Sequence, residues 1–187
     1  MKTLFIFCIL SLGIHKIYSN QNIIIWSDTL KLDWLNFTGN PVNTIQWSAI
    51  SACQINFEWL VQKDSIIFSV VSEFNKSKSW VKPYAKTKEV LKHEQGHFDL
   101  TEVYSRKLRM HLKGLNIPNM DNIETLFDSI FNSNYNELLI AQETYDLETD
   151  YSNNSENQIK WDQNIRTELD SLIEFSNSSV TLALKIN

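Results

Sequence analysis

Residues 91–100 read LKHEQGHFDL: two histidines with three residues between them, and Glu94 directly after the first. Around this stretch Val90, Leu91, His97, Phe98, Thr101, Tyr104 and Leu108 recur on steps of three and four. That period predicts a helix from about Thr87 to near Gly114, where glycine supplies a stop. Residues four apart on a helix share a face, with side-chain origins roughly 6 Å apart. His93 and His97 can therefore aim their rings at one point, and zinc accepts neutral imidazole nitrogen at about 2.0–2.1 Å. Glu94 sits about 100° round the helix from His93, too far for an easy ligand but within reach of a water on the ion. Two ligands and a general base make the HExxH arrangement. The plainer alternative is a helix with two histidines in solvent. Gly96 adds a clue, because an interior helical glycine costs about 1 kcal/mol against alanine. A chain tolerates that where something must approach the backbone.

A catalytic zinc needs a third protein ligand and leaves one position for water. His111 lies on the same face but about 27 Å along the same helix, so it cannot converge. Val103 stands where a metzincin pattern requires histidine, and Leu100 replaces its glycine. Glu102 falls roughly 180° from His93 and points away. The third ligand is expected from elsewhere, as a carboxylate. The best source is AQETYDLETDYSNN, residues 141–154, where Gln142, Tyr145, Asp146 and Thr149 form one helical stripe. Polar groups on a face that otherwise reads as core suggest a site. Asp146 is the expected ligand, with Glu148, Asp150 and Tyr151 as rivals. Tyr151 is also a candidate donor to an oxyanion. A helix end fraying into water remains the plain alternative.

Upstream, residues 20–83 carry β signals. NIIIWSD is a short apolar run, LKLDWLNF alternates, and TIQWSAISACQINFEWLV and SIIFSVVSEF are β-branched and aromatic. The last two join through Gln62-Lys63-Asp64, which reads as a hairpin. SIIFSVVSEF could offer a sheet edge to an extended substrate, although a core strand is the simpler role. Downstream, residues 84–176 are helical. A second helix begins near Asn122, with NSNYN at 132–136 a possible interruption. A third follows SENQ, where Ser155 and Gln158 match a capping box. The tail SNSSVTLALKIN is a final strand or a loose end. Strands first and helices after give an α+β class: an N-terminal antiparallel sheet, then a zincin-like helical part with HExxH on its first helix.

The first 19 residues, MKTLFIFCILSLGIHKIYS, have a short positive start and an apolar run too short to span a bilayer. They read as a secretory signal peptide cut near Ser19, which leaves residues 20–187 as one domain, secreted or periplasmic, with no membrane span. Cleavage removes Cys8 and leaves Cys53 alone, expected to be buried and inert in a strand. The whole chain has 187 residues and a formal charge of −5 without a basic patch, so nucleic acid is not an expected partner. Five of its six tryptophans precede the helices, and the bland reading is core between sheet and helices.

SWV, LKHEQGHFDLTEVYSRKLR and AQETYDLETDYSNNSENQIKW together resemble a family of bacterial secreted proteins regarded as zinc-dependent proteases, a family of largely unassigned function. The likeness spans about residues 30 to 165, and LDWLNFTGNP resembles the opening of some members. It carries over to His93, Glu94 and His97 as site residues. Gln142, Tyr145, Asp146, Thr149, Gln158 and Trp161 match motif positions of unassigned role. Many members have histidine-glycine where Tyr151-Ser152 stands here. The expectation is a zinc metallopeptidase acting on a peptide or protein through a zinc-bound water. Its zinc sits on His93, His97 and Asp146, Glu94 is the base and Tyr151 assists. The alternative is a peptide- or envelope-binding module that keeps the fold without cutting.

Overall fold

The computed structural model describes residues 21–117 and 120–184. The expected leader at 1–19 lies outside the described residues. What is described is a mixed α+β fold of two antiparallel sheets and three long helices.

The larger sheet is built on strand β4 (Ser65–Asn75), with β1 (Ile23–Ile25), β3 (Cys53–Gln62) and β6 (Ser179–Ala183) against it. Along β4 the residues alternate strictly between buried and half-buried, with Ile66, Phe68, Val70, Ser72 and Phe74 inward. That is the period of two a sheet with one face on a core requires. Gln62 pairs with Ser65 across Lys63-Asp64, so the hairpin turns on two residues. β4 bonds β3 on one side and β1 and β6 on the other. It is therefore central and offers no edge to a substrate, contrary to one role open for SIIFSVVSEF. The tail is a strand, because Val180 and Leu182 pair opposite Phe68 and Ile66.

LKLDWLNF, expected to be extended, is not a strand. Asp33 accepts from Leu35 N, and Asn36 accepts from Asp33 N, which closes a 3₁₀ turn over Trp34–Asn36. Local side-chain bonds to the backbone outcompete the ladder here, while Leu32 and Phe37 still reach a core. A short second sheet pairs β2 (Ala49–Ile50) with β5 (Trp80–Val81).

Helix α1 (Lys88–Lys113) starts at Thr87, whose hydroxyl accepts from Val90 N, and ends at Gly114. Its Val103, Leu108 and Leu112 pack with Ile66, Phe68 and Val70 of the sheet and Phe127 and Leu138 of the next helix. That helix, α2 (Ile123–Glu148), runs unbroken through 132–136. Asn134 is buried there, and Phe131 stacks on both Phe57 and Tyr135, so packing overrides the polar composition. Helix α3 (Ser155–Ser171) is capped by Asn154 accepting from Asn157 N, one residue earlier than the expected Ser155 cap. Gln158 turns inward instead of back to the helix start.

Glu102, as expected, lies on the far face of α1 from the histidines. It takes Arg106 at 3.0 Å, Arg109 at 2.9 Å and Ser72 at 2.8 Å, all of them buried. Among the described residues no helix is long and apolar enough to cross a membrane.

Candidate metal centre

Helix α1 lies across α2, and the crossing brings three donor atoms together. His93 Nε2 and His97 Nε2 are 3.1 Å apart, and each is 3.0 Å from Asp146 Oδ1. A tetrahedral ion about 2.05 Å from each donor would hold them about 3.3 Å apart. The three atoms thus already stand near the corners of a coordination face. His93 is buried, while His97 and Asp146 are half-buried and open on one side. Glu148 is drawn away, since its carboxylate accepts from Trp161 Nε1 at 2.8 Å. Asp150 sits exposed in the turn after α2.

The charges fit this geometry. Burial alone would raise the Asp146 carboxyl, but the bonds and charges of His93 and His97 hold it well below the usual carboxylate range. Burial alone would lower the His97 pKa. The Asp146 bond, the Glu94 charge and Gln142 outweigh it and bring the net shift upward. The pocket therefore favours positive charge between the rings. Glu94 is also buried, and its Oε2 has no hydrogen-bond partner. An orphaned buried carboxylate oxygen costs energy. Glu94 lines the same cleft as His93, His97 and Asp146.

Tyr145 forms the floor. Its ring stacks on His93 with centroids 4.5 Å apart and planes 14° apart, and meets His97 edge-on at 5.0 Å. Its hydroxyl donates to His93 O at 3.1 Å and accepts from Gln158 Nε2 at 2.6 Å. Burial pushes this phenol far above its ordinary pKa, so it stays protonated. The hydroxyl lies over residue 96, which answers why a glycine stands mid-helix. A Cβ there would meet Tyr145 Cζ at 2.7 Å.

The centre opens into a cleft of about 720 Å³. One wall is residues 46–51, and the other is Tyr135, Leu138, Leu139 and Gln142 of α2. β2 lies in that wall, and β5 is its one strand partner among the described residues. The cleft's charged residues besides the histidines are Glu94 and Asp146.

Tyr151 lines the rim and is 42% exposed. It sits in a run of three left-handed residues, with φ of 47° at Asp150, 51° at Tyr151 and 79° at Ser152. Such angles are strained without glycine. The turn they form is closed by Tyr151 N donating to Asp146 O and Asn154 N to Thr149 O, which ties the rim to the candidate ligand.

Cys53 opens β3 and is half-buried against the cleft, and burial, then Glu94 and Asp99, push its thiol up. Trp47, 46% exposed in the cleft wall, departs from the expected core role, while Trp80 is buried. Neither the 46–51 wall nor the contact of Gln158 with His93 is readable from the sequence pattern. Both depend on pairings distant in the chain. Compared with known proteins, the chain matches no family model, no curated protein and no solved structure.

Proposed function

We propose that this chain is a secreted or periplasmic, zinc-dependent peptide hydrolase with a zincin-like site, in line with the family its HEQGHFD block resembles. One observation carries the reading: His93 Nε2, His97 Nε2 and Asp146 Oδ1 converge within 3.1 Å beside a buried, unpartnered Glu94 oxygen. Two imidazoles and one carboxylate around an open position are the donor set of a catalytic rather than a closed zinc site. A divalent cation held there polarises a carbonyl and makes water more acidic. Glu94 receives the proton of the attacking water and delivers it to the departing amine. Tyr151 on the rim donates to the oxyanion. A peptide extended along β2 pairs with its free edge, the mode that gives affinity through main-chain bonds.

The test is Glu94→Gln, assayed with zinc-loaded protein on casein and a peptide library. Hydrolysis falls by about 10²–10⁴-fold while stoichiometric zinc is retained. Unchanged hydrolysis takes Glu94 out of the chemistry. Wild-type protein that holds zinc, retains peptides and cuts none of them is a binding module instead.

A further inference from the structure

Each candidate ligand histidine turns its second ring nitrogen onto a glutamine, and the hydrogen bonds fix which end of that glutamine it meets. Gln142 Nε2 faces His97 O at 3.0 Å and Thr101 Oγ1 at 3.2 Å. Thr101 spends its own proton on His97 O, so its oxygen can only accept from the amide. The Gln142 nitrogen is thus committed, and its Oε1 is the atom at His97 Nδ1. Gln158 repeats the logic. Its Nε2 faces Asp162 Oδ1 at 2.9 Å and the Tyr145 oxygen at 2.6 Å, and Tyr145 donates its proton to His93 O. Gln158 Oε1 is therefore the atom 3.2 Å from His93 Nδ1. Thr149 Oγ1, whose proton goes to Tyr145 O, adds a second acceptor 3.3 Å from the same nitrogen. A ring nitrogen facing only acceptors must carry hydrogen.

We propose that Gln142 and Gln158 are positioning residues that keep hydrogen on Nδ1 of both imidazoles, so that both Nε2 atoms face Asp146 and a metal displaces its proton from Nε2 alone. The proposal rests on the metal reading above but makes a separate statement about the metal-free protein. A ligating histidine ordinarily passes its second N–H to a carboxylate, a carbonyl or water. Here both acceptors are neutral amides, each held by two partners, so orientation is fixed without adding negative charge to the centre. Two ring nitrogens 3.1 Å apart beside a carboxylate are best served by a proton or a metal cation between them. The lock therefore stores a preference for positive charge at that point.

Two measurements test this. In metal-free wild-type protein at about pH 8.5, nitrogen-15 NMR of the imidazoles shows both rings with hydrogen on Nδ1. A ring whose Nδ1 carries no hydrogen overturns the lock whether or not the protein binds zinc. Zinc affinity is then measured by chelator competition for Gln158→Met and Gln158→Glu. The methionine variant, which fills similar space with no acceptor, weakens zinc by about 10–100-fold. The glutamate variant keeps the acceptor toward His93 Nδ1 but sets a carboxylate oxygen against Asp162, so it loses thermal stability yet binds zinc more tightly than the methionine variant. If both variants lose thermal stability yet hold zinc as wild type does, Gln158 is structural only. If wild type binds no zinc while the rings are Nδ1–H, the lock stands and the metal reading fails.

Discussion

The hydroxyl of Tyr145 fills the space that a side chain at residue 96 would occupy, so Gly96 and Tyr145 are complementary halves of one contact between α1 and α2. Gly96→Ala is usually a favourable change in a helix, by about 1 kcal/mol. Here the methyl displaces the phenol that stacks on His93. We expect a net loss of about 1–3 kcal/mol of stability and weaker zinc binding, read by thermal melts with and without the metal. A higher melting temperature with unaltered zinc affinity would show that the contact is not formed.

Asp146→Asn keeps the shape of the third donor and removes its charge. Zinc affinity drops by at least about tenfold, and hydrolysis drops with it, because a neutral amide oxygen is a poor ligand for zinc. Glu148→Gln leaves zinc affinity unchanged, since Glu148 is engaged with Trp161. Equal losses from both substitutions would contradict the assignment.

The His97–Asp146 pair predicts opposite pH responses with and without metal. Asp146 has a lowered folded pKa, so its stabilisation is present above about pH 4 and lost as pH falls toward the folded value. His97 has a raised folded pKa, so its stabilisation is full below about pH 6.5 and lost as pH rises through the folded value. In metal-free protein the pair contributes most between those limits. Zinc must displace the His97 proton, so its affinity falls by about tenfold per unit as pH drops below the raised pKa. The zinc-induced rise in melting temperature should therefore grow from pH 6 to pH 8. A rise independent of pH would remove His97 from the ligand set.

Ser152 adopts φ 79°, where glycine is at ease. Ser152→Gly is expected to stabilise the protein by about 1 kcal/mol by relieving that strain, measured by urea unfolding. Destabilisation of similar size would mean that the lost serine contacts outweigh the strain.

What could be read in advance followed from local periodicity. His93, Glu94 and His97 lie on α1 because apolar steps of three and four define it, and Asp146 stood out as an acid on an otherwise buried stripe. Glu148 and Asp150 remained open beside it because helical arithmetic cannot say which rotation α2 takes against α1. Gln158 was misleading, since its spacing from Ser155 imitates a cap, while its actual partner His93 is 65 residues away in the chain. The centrality of β4 was hidden for the same reason, as it depends on residues 179–183 returning to pair. Asp33 and Asn36 broke an alternating pattern through a turn worth only two side-chain bonds.

Glu102 holds two arginines on one side of α1 while the histidines occupy the other, and Arg106 and Arg109 also donate to Leu169 O and Val70 O. Glu102→Ala would strand two cations in the interior, at about 3–5 kcal/mol. The wider result is that the rotational phase of α1 is set from behind. Deleting one residue between His97 and Glu102 would turn one set of groups by about 100° against the other. Either the arginines would be forced into water or the imidazoles would swing off their common focus. The charged knot on the back of the helix thus acts as the alignment gauge for chemistry on its front.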